Sequence, residues 1–243
     1  MIGLTGQKAQ PGWIMSHQKK KLKVAAVIFD LDGTLIDSID IYFSIVEKAL
    51  ERLNLPGVPR SRILAAAESE DFKWELVLPQ DTLNRKEEII DEAWAVINEI
   101  APQMFADNLR LIPGAAGMVE ILSSSGLKIG LVTSTQRKYL ETKMQPLKND
   151  GADTLFEVII TSDDVEKRKP APDPLIACAR QLDIKPRNCV YIGDTTTDIK
   201  AGKAAGMRTI GVLTGFDEYE ALEKEKPDAI IENVQHLPEV ITI

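Results

Sequence analysis

Val24-Ala25-Ala26-Val27-Ile28-Phe29-Asp30-Leu31-Asp32-Gly33-Thr34-Leu35 decides the fold of this chain. An apolar run of strand length stops abruptly at two aspartates, a glycine and a threonine. A buried strand therefore delivers two carboxylates to its C-terminal end. In open α/β sheets, ligands bind just beyond that end. Adjacent hard oxygen donors there point to a Mg²⁺ site beside a nucleophile.

The rest of the chain suits such a sheet. Its 243 residues allow one large domain or a domain with an insert. Hydrophobic residues at 44% and charged residues at 27% are those of an ordinary globular protein. The net charge of −8 argues against nucleic acid or an anionic membrane surface as the main partner. A local basic pocket for an anionic substrate remains compatible with it. Cys178 and Cys189 stand in apolar contexts without C-x-x-C spacing. They read as core residues in a reducing, cytoplasmic compartment rather than a disulfide or zinc site. No run reaches the roughly 18 apolar residues of a membrane span.

Before the first strand, residues 1–22 read as a flexible tail with a basic cluster, Lys19-Lys20-Lys21. A signal peptide would place its charge before an apolar run, and this order is absent. Met1 and Met15 both stay open as starts.

Further apolar runs of strand length fall at 128–132, 158–160, 190–192, 209–213 and 229–231. Helical stretches are expected between them, at 114–125, 137–147, 174–182 and 198–205. Alternating strands and helices imply a parallel sheet covered on both faces. Asp173-Pro174 looks like an N-cap followed by proline at the first helical position. Gly126 and Gly206 stand where a glycine ends a helix.

The alternation breaks at residues 38–112. Ile41, Ile45, Val46, Ala49, Leu50 and Leu53 share one helical face. Ile89, Ile90, Ala93, Ile97, Ile100 and Ala101 share another, with an interruption expected near Pro102. This helical insert would lie over the carboxyl end of the first strand, where a lid excludes water. Arg60, Arg62, Lys73 and Arg85 are candidate contacts for a second anionic group on a substrate.

Four motifs then carry a family resemblance. Asp30-Leu31-Asp32-Gly33-Thr34-Leu35-Ile36-Asp37-Ser38 resembles the first motif of the haloacid dehalogenase-like hydrolase superfamily. Val132-Thr133-Ser134 resembles the second. Lys169-Pro170-Ala171-Pro172-Asp173-Pro174 resembles the lysine motif of helical-capped members. Ile192-Gly193-Asp194-Thr195-Thr196-Thr197-Asp198 resembles the acidic fourth motif. Thr214-Gly215-Phe216 and Pro227-Asp228-Ala229-Ile230-Ile231 add a looser likeness to the phosphoglycolate phosphatase branch.

The resemblance implies a doubly wound, Rossmann-like α/β core, residues 23–37 and 113–243, with an all-helical cap at 38–112. It implies a Mg²⁺-dependent phosphatase acting on a small phosphorylated metabolite through an aspartyl phosphate. Asp30 would be the nucleophile. Asp32 would protonate the leaving oxygen and then take a proton from water. An aspartate of ordinary pKa, ~3.9, is ionised at neutral pH. Either the site raises it or substrate binding brings the proton.

Lys169 would neutralise the phosphoryl group, which the Thr133 hydroxyl and Ser134 N–H would hold. The Asp30 carboxylate, the Asp32 carbonyl and Asp194 would ligate the metal. Asp198 would hold a metal-bound water or orient Lys169; capping of the following helix explains it equally well. Two other functions remain open. A sugar phosphomutase of the β-phosphoglucomutase type would use the same aspartates and differ in how the cap excludes water. A non-catalytic phosphate-binding or regulatory module would keep only the fold.

Overall fold

The computed structural model describes residues 14–16, 20–67 and 72–243. Its centre is a seven-stranded sheet of β1 (Ile14–Ser16), β2 (Ala26–Phe29), β5 (Lys128–Val132), β6 (Val158–Ile160), β7 (Cys189–Gly193), β8 (Arg208–Val212) and β9 (Ala229–Ile231). β3 (Ile36–Asp37) and β4 (Arg110–Leu111) pair separately, in antiparallel register. The large sheet runs β1-β9-β8-β7-β2-β5-β6, parallel throughout except for β1. β2 is central, between β5 and β7. The chain leaves to one side of β2 and later returns on the other. That is the switch point where such sheets bind ligands.

Side-chain alternation explains why β2 is apolar at every position. Val27 and Phe29 enter one core with Met118, Leu122, Met144 and Leu147. Ala26 and Ile28 enter the opposite core with Leu175, Cys178, Tyr191 and Ala201. The first face is covered by α4 (Ala115–Ser124) and α5 (Arg137–Asn149), the second by α6 (Asp173–Gln181) and α7 (Thr196–Ala204). A strand buried on both faces has no polar side to offer.

Helix ends follow local chemistry. Gly126 and Gly206 lie at positive φ just past α4 and α7, as expected of C-terminal glycines. The N-terminus of α6 differs from expectation. Pro172 is its N-cap, so Asp173 is the first helical residue and places its carboxylate in the first turn.

Between β3 and β4 the chain forms α1 (Ile39–Arg52), α2 (Arg60–Ala67) and α3 (Lys86–Asn108). The outer parts of these helices share an apolar cluster of Phe43, Val46, Leu50, Ile63, Trp74, Leu78, Ile89 and Ala93. Their roots belong to the main core instead, through Ile41, Ile45, Ala101 and Phe105. The interruption expected near Pro102 does not occur, and α3 continues through it to Asn108. Proline inside a helix costs ~3 kcal/mol. Burial of Ala101 and Phe105 on either side offsets that cost.

Most of the expected tail, residues 1–22, lies outside the described residues. Two parts of it differ from a tail. Ile14–Ser16 pairs with Ala229–Ile231, and Leu22 is buried with its backbone bridged to Ile241. The edge of β9 offered this segment an open ladder to join. Among the described residues, no helix is long and apolar enough to cross a membrane.

Candidate active site

β2 ends where its ladder does. The Asp30 N–H donates to the Ile192 carbonyl at 2.8 Å, and the chain then turns sharply. The Leu35 N–H reaches the Leu31 carbonyl at 2.9 Å, and the Gly33 N–H reaches Ile36 at 2.8 Å. Gly33 has φ +75°, and a Cβ there would stand 2.5 Å from Asp194 Oδ2. Only glycine meets both conditions. A second glycine, Gly215, approaches Asp194 from the other side; its Cβ would stand 1.8 Å from the same oxygen.

Asp194 follows β7 and is buried. Its Oδ2 accepts the Phe216 N–H at 2.8 Å, and its Oδ1 accepts the Thr34 hydroxyl at 3.3 Å. Two turns from different ends of the chain thus grip one carboxylate. Thr214 adds a hydrogen bond to the Gly33 carbonyl at 2.6 Å.

Lys169 is buried and donates to Asp30 Oδ1 at 2.7 Å and Asp198 Oδ1 at 2.6 Å. It also reaches the Tyr191 hydroxyl at 3.0 Å. Asp198 has two jobs at once. Its Oδ2 accepts the Thr195 N–H at 3.1 Å and the Thr195 hydroxyl at 2.6 Å, closing a capping box at the start of α7. Thr195, not Asp198, is the N-cap. The Asp198 Oδ1 faces Lys169. The reading of Asp198 as lysine partner holds; the N-cap reading is corrected, because Asp198 is the third helical residue and closes the capping box from there.

The charges do not balance. Asp30, Asp194 and Asp198 each place an oxygen within 4.8 Å of the others. Lys169 is the ammonium among them. Burial, reinforced by Asp198 and Asp32 against the pull of Lys169, pushes Asp30 up to about 7. Burial, with Asp198 and Asp30 adding to it, holds Asp194 well above the usual carboxylate range. Burial opposes the charge on Lys169, but Asp198 and Asp30 outweigh it and hold the lysine well above its ordinary value. Fully ionised, three carboxylates against one ammonium have a deficit of two positive charges, which the raised Asp30 and Asp194 reflect. An all-oxygen cluster with that deficit fits a hard divalent cation.

Asp32 lies in different surroundings. Both its oxygens accept from Lys143 Nζ at 2.8 Å, and Oδ2 also accepts the Thr135 hydroxyl at 2.9 Å. Burial alone would raise Asp32, but the Lys143 ammonium and these hydrogen bonds outweigh it and hold the carboxyl below its ordinary value. A raised Asp32 is therefore not what this site provides. An ionised Asp32 fits the reading in which substrate binding brings the proton.

The second motif is only partly turned toward the site. Thr133 is buried at the end of β5, and its hydroxyl accepts the Thr135 N–H at 3.0 Å. Ser134 is exposed. Thr135 is the residue whose hydroxyl meets Asp32. Arg60, Arg62 and Arg85 bind locally, to Asp40, the Leu76 carbonyl and Glu88.

Sequence reasoning missed Lys143, Thr135 and Tyr191. Lys143 carried a usable signal. It lies three residues after Leu140 and four before Leu147, on the apolar stripe of α5. A lysine on such a stripe needs a buried partner.

A D-x-D turn, a buried lysine and an acidic cluster thus meet at the switch point of the sheet, where such folds bind ligands. The comparisons agree. The model of the haloacid dehalogenase-like hydrolase family matches residues 27–212, and the chain belongs to that family. The phosphoglycolate phosphatase of Escherichia coli K12 is 30% identical over 232 residues, covering 88% of this chain and 91% of that protein. The enzyme of the same name from Salmonella choleraesuis is 30% identical over 236 residues, covering 90% and 92%. A family hydrolase from Deinococcus radiodurans, solved with bound phosphate and sodium, superposes with a TM-score of 0.69 at 25% identity, covering 88% and 93%. The class is thus a phosphatase with a doubly wound α/β core.

Proposed function

We propose that this chain is a Mg²⁺-dependent phosphatase of a small phosphorylated metabolite, with Asp30 as nucleophile. The uncompensated charge around Asp30, Asp194 and Asp198 is the observation that carries this reading. The Asp30 carboxylate, the Asp32 carbonyl and Asp194 would hold the metal, while Asp198 orients Lys169. Bound Mg²⁺ would offset carboxylate charge and clamp a phosphoryl oxygen.

The chain's own residues do the rest. Asp30 attacks phosphorus in line, and the bond from phosphorus to the ester oxygen breaks. Lys169 balances charge on the nucleophile and the transferring group. The Thr133 hydroxyl and Ser134 N–H hold phosphoryl oxygens. Asp32 starts ionised, so it relays a proton that a phosphate monoanion brings; the second pKa of such esters is ~6. That proton ends on the departing alcohol. Water then attacks phosphorus of the aspartyl phosphate, its proton passes by way of Asp32 to solvent, and phosphate leaves with both aspartates restored as carboxylates.

The helical insert at 38–112 acts in this reading as a cap over the site. Its outer helices pack on an apolar cluster of their own. The relatives' names make phosphoglycolate the first substrate to try. A cytoplasmic setting is in keeping with two buried free cysteines.

The test is phosphate release from a panel of phosphoglycolate, hexose phosphates, nucleotides and pyrophosphate, with Mg²⁺ and with EDTA. Release that needs Mg²⁺ and vanishes in folded Asp30→Asn is expected. Full activity in that variant would remove Asp30 as nucleophile.

A further inference from the structure

α5 carries several lysines. Lys138 is exposed, whereas Lys143 is 2% exposed. Burying an ammonium costs several kcal/mol unless its partners are close and well placed. Lys143 has such partners on every side. Its Nζ meets both oxygens of Asp32 at 2.8 Å and the Thr135 hydroxyl at 2.9 Å, and it bonds the Tyr42 hydroxyl. It also lies 4.7 Å from the Tyr42 ring centre and 4.8 Å from that of Phe105. Those rings meet edge to face at 5.5 Å.

The origin of these partners is informative. Asp32 is the second aspartate of the D-x-D turn. Tyr42 lies near the start of α1, and Phe105 lies in the last turn of α3. One ammonium thus joins the turn to both helices by which the chain enters and leaves the helical insert. A lysine needed only to fill α5's buried face would have no reason to bond both oxygens of that carboxylate. With Thr135 on Oδ2, the carboxylate is fixed in rotation as well as position.

We propose that Lys143 is the positioning residue for Asp32, fixing where its carboxylate points and linking that direction to the root of the helical insert. This rests on the phosphatase reading, in which Asp32 handles the proton of the leaving oxygen. Such a group must come within hydrogen-bond reach of that oxygen to act. Lys143 itself makes no contact with the transferring group in this scheme.

The experiment measures, with Mg²⁺ present, the first-turnover release of the leaving group from two esters, because water attack on the aspartyl phosphate uses Asp32 whichever ester was cleaved. p-Nitrophenyl phosphate releases a phenolate that needs no proton. An alkyl phosphate (phosphoglycolate, or whichever of the panel the wild type turns over fastest) releases an alkoxide that does. Lys143→Met should lower this first-turnover rate on the alkyl ester by about 100-fold or more, the scale of lost acid–base catalysis. On the aryl ester the loss should stay under about tenfold, with KM changed by less than about threefold on both. Lys143→Arg should regain part of the alkyl-ester activity. Equal losses on the two esters, or no loss, would overturn the proposal.

Lys143→Met leaves a buried carboxylate unpaired, so a second comparison guards against misfolding. Asp32→Asn combined with Lys143→Met removes both charges. On the aryl ester this pair should lose nothing beyond Asp32→Asn alone. A further tenfold loss would mean that Lys143 acts apart from Asp32 and would refute positioning. A wild type that cleaves none of these esters would bring down the phosphatase reading and this proposal together. An active wild type with an unselective Lys143→Met brings down the proposal alone.

Discussion

Asp30→Asn should stabilise the metal-free protein, and the gain should depend on pH. Asp30 is 6% exposed and is pushed from 3.8 to about 7. The folded state therefore binds this proton more tightly than the unfolded chain does. Its share of stability is complete below pH ~4 and is lost as pH rises to about 7. At ~1.4 kcal/mol per pH unit, ionised Asp30 costs the fold about 4 kcal/mol at pH 8. Asparagine keeps the shape and an acceptor for Lys169 but has no charge to bury. The gap between variant and wild type should be near zero at pH 4, open through pH 7 and then level off. For a chain of this size it amounts to roughly 10 °C in Tm. Thermal melts in EDTA at several pH values measure it directly. Added Mg²⁺ should raise the wild type and narrow the gap, because a ligand bound only to the folded state stabilises it. A pH-independent gap, or a variant less stable at pH 8, would refute the claim that the carboxylate cluster stores repulsion.

Three further outcomes are expected. Gly215→Ala drives a methyl group into Asp194 Oδ2, so the Mg²⁺ concentration for half-maximal activity should rise at least about tenfold; an unchanged value in a metal titration would contradict this. Burial pushes the Cys178 thiol up and the Cys189 thiol up to about 11, so a thiol-reactive dye should label almost nothing in the native protein and both cysteines after unfolding. Asp164 closes a capping box with Thr161 and is held at about 2, chiefly by its hydrogen bond to Arg137. Its folded pKa is depressed, so its stabilisation is present above pH ~4 and lost as pH falls through about 2. Asp164→Ala should cost about 1 kcal/mol at pH 6 and much less at pH 2, as urea melts would show.

The parts of the site that lie in chain order were legible. Asp30, Asp32, Asp194 and Asp198 follow apolar runs of strand length, and Lys169 opens a proline-rich segment; all lie beyond the carboxyl ends of the strands. The structure brings Asp30, Lys169, Asp194 and Asp198 into direct contact or close approach. The parts that depend on side-chain packing were not legible. The apolar periodicity of α5 marks its buried face but cannot say which neighbour that face meets. Lys143 meets Asp32 only because α5 crosses beside the D-x-D turn. Tyr191 had to find a partner for its hydroxyl, and nothing in Cys189–Gly193 reveals that Lys169 and Asp198 supply it. Local propensity alone predicts a break at Pro102, and the burial of Ala101 and Phe105 overrides it. The charge state of Asp32 depended on a lysine from another helix.

The most direct test of the central claim is to catch the covalent intermediate. Wild-type protein is mixed with Mg²⁺ and excess substrate, quenched in acid within milliseconds and digested for mass spectrometry. A phosphoryl group on the peptide that carries Asp30, absent with EDTA and in Asp30→Asn, is the expected result. Rapid phosphate release with the label on a different residue would contradict the account.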